Sequence, residues 1–180
     1  MPLNLLKKYP ELLILSGSVD AMKASLHKIY LRDIEDNNDF KFRGIQIHPL
    51  KSKEGQLEMN RTFDHITTRE FPQYDEKGKL LPLSKREFDM PRAVRLHWIN
   101  HHVHEYTPKN IEVFTIVERD QKKRADVKHT YIYDKVERFV IVFDRREEKD
   151  FYLLTAYYLN EPYAEKMMRK KMKKKEANVL

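Results

Sequence analysis

The clearest alternation of apolar and polar positions lies between Asp89 and Asn160. In PRAVRLHWINHHVHEY the apolar residues Ala93, Leu96, Ile99 and Val103 recur at helical spacing. That spacing predicts a helix over about 91 to 105, with Asp89 ahead of it and Pro91 in its first turn. A start at Ser84, from the box-like SKRE, is the less favoured choice. Three strand patterns follow: IEVFTIVE, then HTYIYDKVERFVIVFD as one strand or a pair broken near Asp134, then FYLLTAYYLN. The connections RDQKKRAD and DRREEKD are short and polar, which predicts an antiparallel meander with the helix across one face.

Upstream, Ser18 is placed to cap a helix from Val19 to Leu31, in which Met22, Leu26, Ile29 and Tyr30 keep helical spacing. Phe40, Phe42, Ile45 and Ile47 alternate with polar residues around Gly44 and read as one strand with a bulge. Residues 51 to 83 carry few signals, and LEMNRTFDHITTREF fits either a strand pair or a short helix. After Glu161-Pro162 a C-terminal helix ends in a basic run. These patterns predict an α+β fold, with N-terminal helices on a mainly antiparallel sheet of four strands or slightly more. They divide the chain into an N-terminal elaboration (1–83), a helix-plus-sheet core (84–160) and a basic helix or tail (161–180).

Composition narrows the function. The 180 residues suffice for one buried core, and 41% are apolar. Four glycines without a GxGxxG or P-loop pattern argue against nucleotide hydrolysis. The absence of cysteine excludes disulfides, zinc ribbons and thiol nucleophiles and fits a cytoplasmic location. The N-terminal apolar run spans only Leu12 to Leu15, too short for a signal peptide or membrane span, so no membrane partner is expected. The net charge of +7 is concentrated: Lys166 to Lys175 holds seven basic residues, and the rest balances at 28 basic (35 − 7) against 28 acidic. Such a run attracts polyanions, nucleic acid first.

The run FDMPRAVRLHWINHHV, with IEVFTIVE, YIYDKVERFVIVF and FYLLTAYYL, resembles the phage-associated branch of the barnase, EndoU, colicin and RelE-like superfamily of nucleases and toxins. The resemblance covers about Phe88 to Asn160. It implies a helical part on a four-stranded antiparallel sheet. It also implies a metal-independent endoribonuclease, in which an RNA 2′-hydroxyl attacks its own phosphodiester to leave a 2′,3′-cyclic phosphate. The implied partners are RNA, transfer RNA included, and an immunity or inhibitor protein. No cofactor is implied.

Such cleavage needs a base, an acid and positive charge on the phosphorane, roles that imidazole and guanidinium fill near neutrality. His97 matches the helix histidine of the resemblance, and His101 lies one turn on. Thr155 and Tyr157, two apart on a strand, point the same way. The expected catalytic residues are His97, His101, Thr155, Tyr157 and Arg138. The expected nucleic-acid contacts are Arg95, Lys170, Lys171, Lys173 and Lys174. Each has a plainer reading: a buried structural histidine, ordinary strand residues, solvated charges. Tyr131 and Tyr133, flanking Ile132, read as packing residues before a stacking platform. His97, His101 and His104 share one stripe, but the HExxH glutamate is missing and three ligands from one straight helix suit a tetrahedral ion badly, so no metal is expected. The alternative is a non-catalytic module of a phage or mobile element that binds nucleic acid or protein, with a metal-dependent hydrolase third. A cleft gathering His97, Thr155 and an arginine would favour the enzyme, and scattered side chains the binding module.

Overall fold

The computed structural model describes residues 3–49, 59–79, 81, 85–106, 108–120, 124–146 and 150–177, and they form an α+β fold. Helix α1 (Val19–Tyr30) starts where the Ser18 hydroxyl accepts a hydrogen bond from the Ala21 N–H at 3.2 Å. It buries Met22, Leu26, Ile29 and Tyr30, and a π-helical turn, Leu31–Glu35, extends it. The expected bulged strand is a hairpin instead, β1 (Lys41–Phe42) and β2 (Ile45–His48). Its two turn residues, Arg43 at φ 50° and Gly44 at φ 81°, are both left-handed, the conformation that lets a two-residue turn follow strand twist. Next come α2 (Met59–Thr67) and β3 (Thr68–Phe71), the latter paired with β4 (Lys85–Phe88) in a separate two-stranded ribbon. Ser84, the alternative helix start, lies outside the described residues, and the three residues after it in SKRE are strand.

The single helix expected over 91 to 105 is two short ones, α3 (Met90–Ala93) and α4 (Trp98–Val103). Asp89 caps the first, its Oδ1 accepting from the Arg92 N–H at 3.1 Å. Between them the N–H groups of Arg95, Leu96, Trp98 and Ile99 bond to carbonyls three residues back. That winding turns about 120° per residue rather than 100°. Ala93, Leu96, Ile99 and Val103 all stay buried, but His97 is rotated inward from its expected stripe.

Strands β5 (Ile111–Asp120), β6 (Ala125–Asp134), β7 (Phe139–Arg146) and β8 (Asp150–Tyr158) form the antiparallel meander. The hairpin joins it through a parallel pairing of Ile47 and His48 with Phe151 and Tyr152, giving the six-stranded order β1-β2-β8-β7-β6-β5. One face, with Phe139, Ile141, Phe143 and Leu153, packs on Leu26, Phe42, Leu96 and Trp98. Residues before 84 therefore share this core with the meander. The other face, with Phe114, Tyr131, Val140 and Val142, is covered by α5 (Ala164–Met172), whose Met168 is fully buried. Among the described residues no helix is long and apolar enough to cross a membrane.

Candidate nucleic-acid interface

The site builds on the end of β8. A bulge between Val142 and Phe143 makes Leu154 the extra residue: Val142 pairs with Thr155 and Phe143 with Leu153. Cross-strand partners share a face, so Thr155 and Tyr157 stand beside Val142 and Val140 on the α5 side of the sheet. Beyond Tyr152, β8 has no pairing with β2, and α2 and α3 pack along it there. From α3 the Arg92 side chain reaches this stretch. Its Nη1 donates to the carbonyls of His65 and Thr68 at 2.8 Å each and lies 3.4 Å from the Thr155 hydroxyl. The guanidinium carbon sits 5.9 Å from the Tyr157 ring centre. Burial lowers the Arg92 pKa; Asp89 opposes the shift, while Arg86 and Arg69 add to it. The buried Nε makes no hydrogen bond, its nearest acid being Asp89 Oδ2 at 3.8 Å. Burial also pushes the Tyr157 phenol up to about 12, so it keeps its proton at neutral pH.

A cavity of about 200 Å³ opens here, lined among others by Arg69, Arg92, Tyr157, Tyr163, Met167 and Lys171. Arg69 lies 3.4 Å from Glu161, both more than a third exposed. Tyr163, at the start of α5, and Met167 are 57% and 50% exposed, so an aromatic ring and a thioether border the opening.

The basic run is a docked helix, and one of its lysines turns inward. Lys171 Nζ bonds to Glu118 and, at 3.0 Å, to the Tyr131 hydroxyl. Glu118 also accepts from Tyr131 at 2.6 Å and lies 2.9 Å from His129 Nδ1. These bonds, His129 first, hold the Glu118 carboxyl at about 2 despite burial. Burial and then Glu118 raise the Tyr131 phenol. Lys166, Arg169, Lys170, Lys173, Lys174 and Lys175 remain exposed. On the far side of α5 a groove of about 380 Å³ against β5 is lined by Arg119, Lys170 and Lys174, among others.

The expected site residues divide into separate places. Thr155 and Tyr157 do share a face, and an arginine meets them, but it is Arg92. His97 is 5% exposed on the opposite side of the sheet, beneath the N-terminal segment, and neither ring nitrogen makes a hydrogen bond. Burial depresses it to about 4, with Arg32 adding to the shift and the backbone of Glu11 and Lys8 opposing it. His101 stacks on Tyr9 at 4.3 Å, half buried, and burial lowers its pKa too. Arg138, left-handed at φ 55°, pairs with Glu165 at 2.9 Å. Arg95 lies 3.9 Å over the Tyr158 ring and donates to the Pro91 carbonyl at 2.6 Å. Lys170, Lys173 and Lys174 are exposed, whereas Lys171 is committed to Glu118. Tyr131 and Tyr133 are buried under α5. Among the described residues no group of three or more histidines and acids is arranged to hold a metal ion.

Sequence reasoning passed over Arg69 and chose Arg95 over Arg92. The helical stripe of Arg92 gave no hint of β8, because only the sheet order brings them together. It also passed over His102, 2% exposed, whose Nε2 lies 3.4 Å from Asp134, the carboxylate that takes the Tyr9 hydroxyl at 2.7 Å. No protein family, characterised protein or solved structure compared with this chain matches it.

Proposed function

We propose that this chain is a nucleic-acid-binding module that holds single-stranded RNA or DNA along α5 without cutting it. One observation carries the reading: six exposed cations, three on the docked helix α5 and three in the turn after it, lie beside a groove and a cavity that also offers arginines and tyrosines. Phosphates take the lysines and arginines, and exposed rings take bases, a combination suited to single strands. Cleavage is disfavoured because His97 and Thr155 lie on opposite faces, and no histidine lines the cavity beside Tyr157. The metal-independent ribonuclease implied by the resemblance is the second reading, favoured by the meeting of Thr155, Tyr157 and Arg92. RNA incubated with the protein in excess EDTA separates the two: intact RNA keeps the binding module, and 2′,3′-cyclic phosphate ends restore the enzyme.

Binding itself is tested by titrating a labelled single-stranded oligonucleotide across a salt series. Replacing Lys166, Lys170, Lys173 and Lys174 by Gln removes up to four phosphate contacts. The slope of log affinity against log salt should then shrink by about 3. An unchanged affinity and slope would overturn the proposal.

A further inference from the structure

The cavity beneath the start of α5 has features that a run of exposed lysines lacks, and the geometry points to a site for a single nucleotide, its phosphate on Arg69 and Arg92 and its base on Tyr163 and Met167. This deepens the reading of the interface as a nucleic-acid binder and rests on it.

The phosphate side follows from donors left over. Arg92 spends Nη1 on two carbonyls and the Thr155 hydroxyl, while its buried Nε has no acceptor. That nitrogen is closed off, so an anion in the cavity is met by the rest of the guanidinium, which lines it. Asp89 makes no hydrogen bond to Arg92 Nε, since its Oδ1 caps α3 and its Oδ2 stays 3.8 Å away. Arg69 is the second donor. Its ion pair with Glu161 is long at 3.4 Å and only partly buried, a type of contact worth little, so a phosphate can replace Glu161. Two guanidiniums lining one small cavity suit bidentate contact with phosphate oxygens. The Tyr157 phenol, still protonated at neutral pH, is a further donor in the same cavity.

The base side follows from the lip. Tyr163 and Met167 are four apart on one helical edge, both half exposed, where an apolar flat group would cover them. At about 200 Å³ the cavity is smaller than the usual range for drug-sized ligands, which limits its occupant to one unit of a strand. Phosphate at the arginines and a flat ring at the lip together describe a nucleoside monophosphate. It can arrive free or as one residue of a strand.

The test uses the full chain and calorimetric titration with adenosine 5′-monophosphate, adenosine and inorganic phosphate. The monophosphate should bind at least tenfold tighter than either part alone. Tyr163→Ala should weaken it roughly 5- to 100-fold, the effect of losing one stacking ring, and Arg69→Gln by a similar factor. Tyr163→Ala should leave the thermal midpoint unchanged, because the ring is more than half exposed, and Arg69→Gln, at a partly buried side chain, should shift it only slightly. Equal binding of monophosphate and inorganic phosphate, or full affinity in Tyr163→Ala, overturns the nucleotide site. If the oligonucleotide still binds in that case, the α5 reading survives alone; if it does not, both fail. Competition assigns the source. A strand residue occupies the cavity if saturating monophosphate lowers oligonucleotide affinity to the Tyr163→Ala level, and a free nucleotide does if the strand is unaffected.

Discussion

Arg92 Nη1 lies 3.4 Å from the Thr155 hydroxyl and 2.8 Å from two carbonyls of the α2–β3 junction, so one side chain ties α3 and α2 to the last strand. The carbonyl bonds are the short ones, and they set the energetics. Arg92→Ala removes the side-chain donor from the His65 carbonyl and one of two from the Thr68 carbonyl, which Arg86 Nη2 also meets at 3.2 Å, and should cost about 1–3 kcal/mol in urea unfolding. Thr155→Val loses only the long contact and should cost under about 1 kcal/mol. The reverse order would mean that the hydroxyl, not the carbonyls, anchors Arg92.

His97 gives a second prediction, and its sign follows from burial. Its folded pKa of about 4 lies below the 6.5 of an exposed imidazole, so between these values the unfolded chain binds more protons. Its share of stability is complete above about pH 6.5 and is lost as pH falls towards 4. That share is on the order of 1–3 kcal/mol. His97→Leu removes the titration together with two buried nitrogens that make no hydrogen bond. At pH 7 the variant should match or exceed the native stability, and its acid loss between pH 6.5 and 4 should be shallower. His102, also held at about 4, keeps part of the slope. An unchanged slope in His97→Leu would place the titration elsewhere.

The meander was legible because β5 to β8 are apolar, β-branched and aromatic runs bounded by short polar turns, and Ser18 and Asp89 announce their helices by capping chemistry. The sequence around Arg43-Gly44 fits a bulge as well as a hairpin, since one glycine between two apolar pairs suits both and only the left-handed Arg43 decides. The histidine stripe failed for a geometric reason: a few residues of tighter winding before α4 displace every angle counted through them. Arg69 and Arg92 could not be paired with Tyr157 from sequence, because the contact depends on α2 and α3 packing along β8 past the end of its pairing with β2. Lys171 looks like its neighbours in the sequence. Glu118, 53 positions away, separates it from them.

That pairing yields the third prediction. Glu118 accepts from Tyr131 and Lys171 and contacts His129, and its carboxyl is held at about 2 against 4.5 when exposed. Its contribution is present above about pH 4.5 and disappears as pH falls through about 2. Glu118→Gln should therefore destabilise the protein at pH 7 by on the order of 1–3 kcal/mol and converge with the native protein at low pH. Hydrogen exchange should speed up first in 164–172. Unchanged exchange there would show that Met168 alone docks the helix.

The last prediction concerns α5 as part of the fold. A loose basic tail could be cut after Tyr163 with no loss beyond nucleic-acid affinity. Here Met168 is 1% exposed against the sheet face that holds Phe114, Tyr131 and Val142. Removing 164–180 uncovers that face, and the truncated chain should melt lower and bind hydrophobic dyes. Met168→Ala isolates the packing and should cost about 2–5 kcal/mol, as buried methionine truncations do. Lys170→Gln and Lys173→Gln, on the exposed side, should leave the midpoint unchanged while weakening oligonucleotide binding. Helix docking and strand binding thus use different residues of one element, and the two substitution sets should separate them in melting and titration. A truncated chain that melts with the full one would mean that α5 is not packed on the sheet in solution, and the cavity at its start would have no wall.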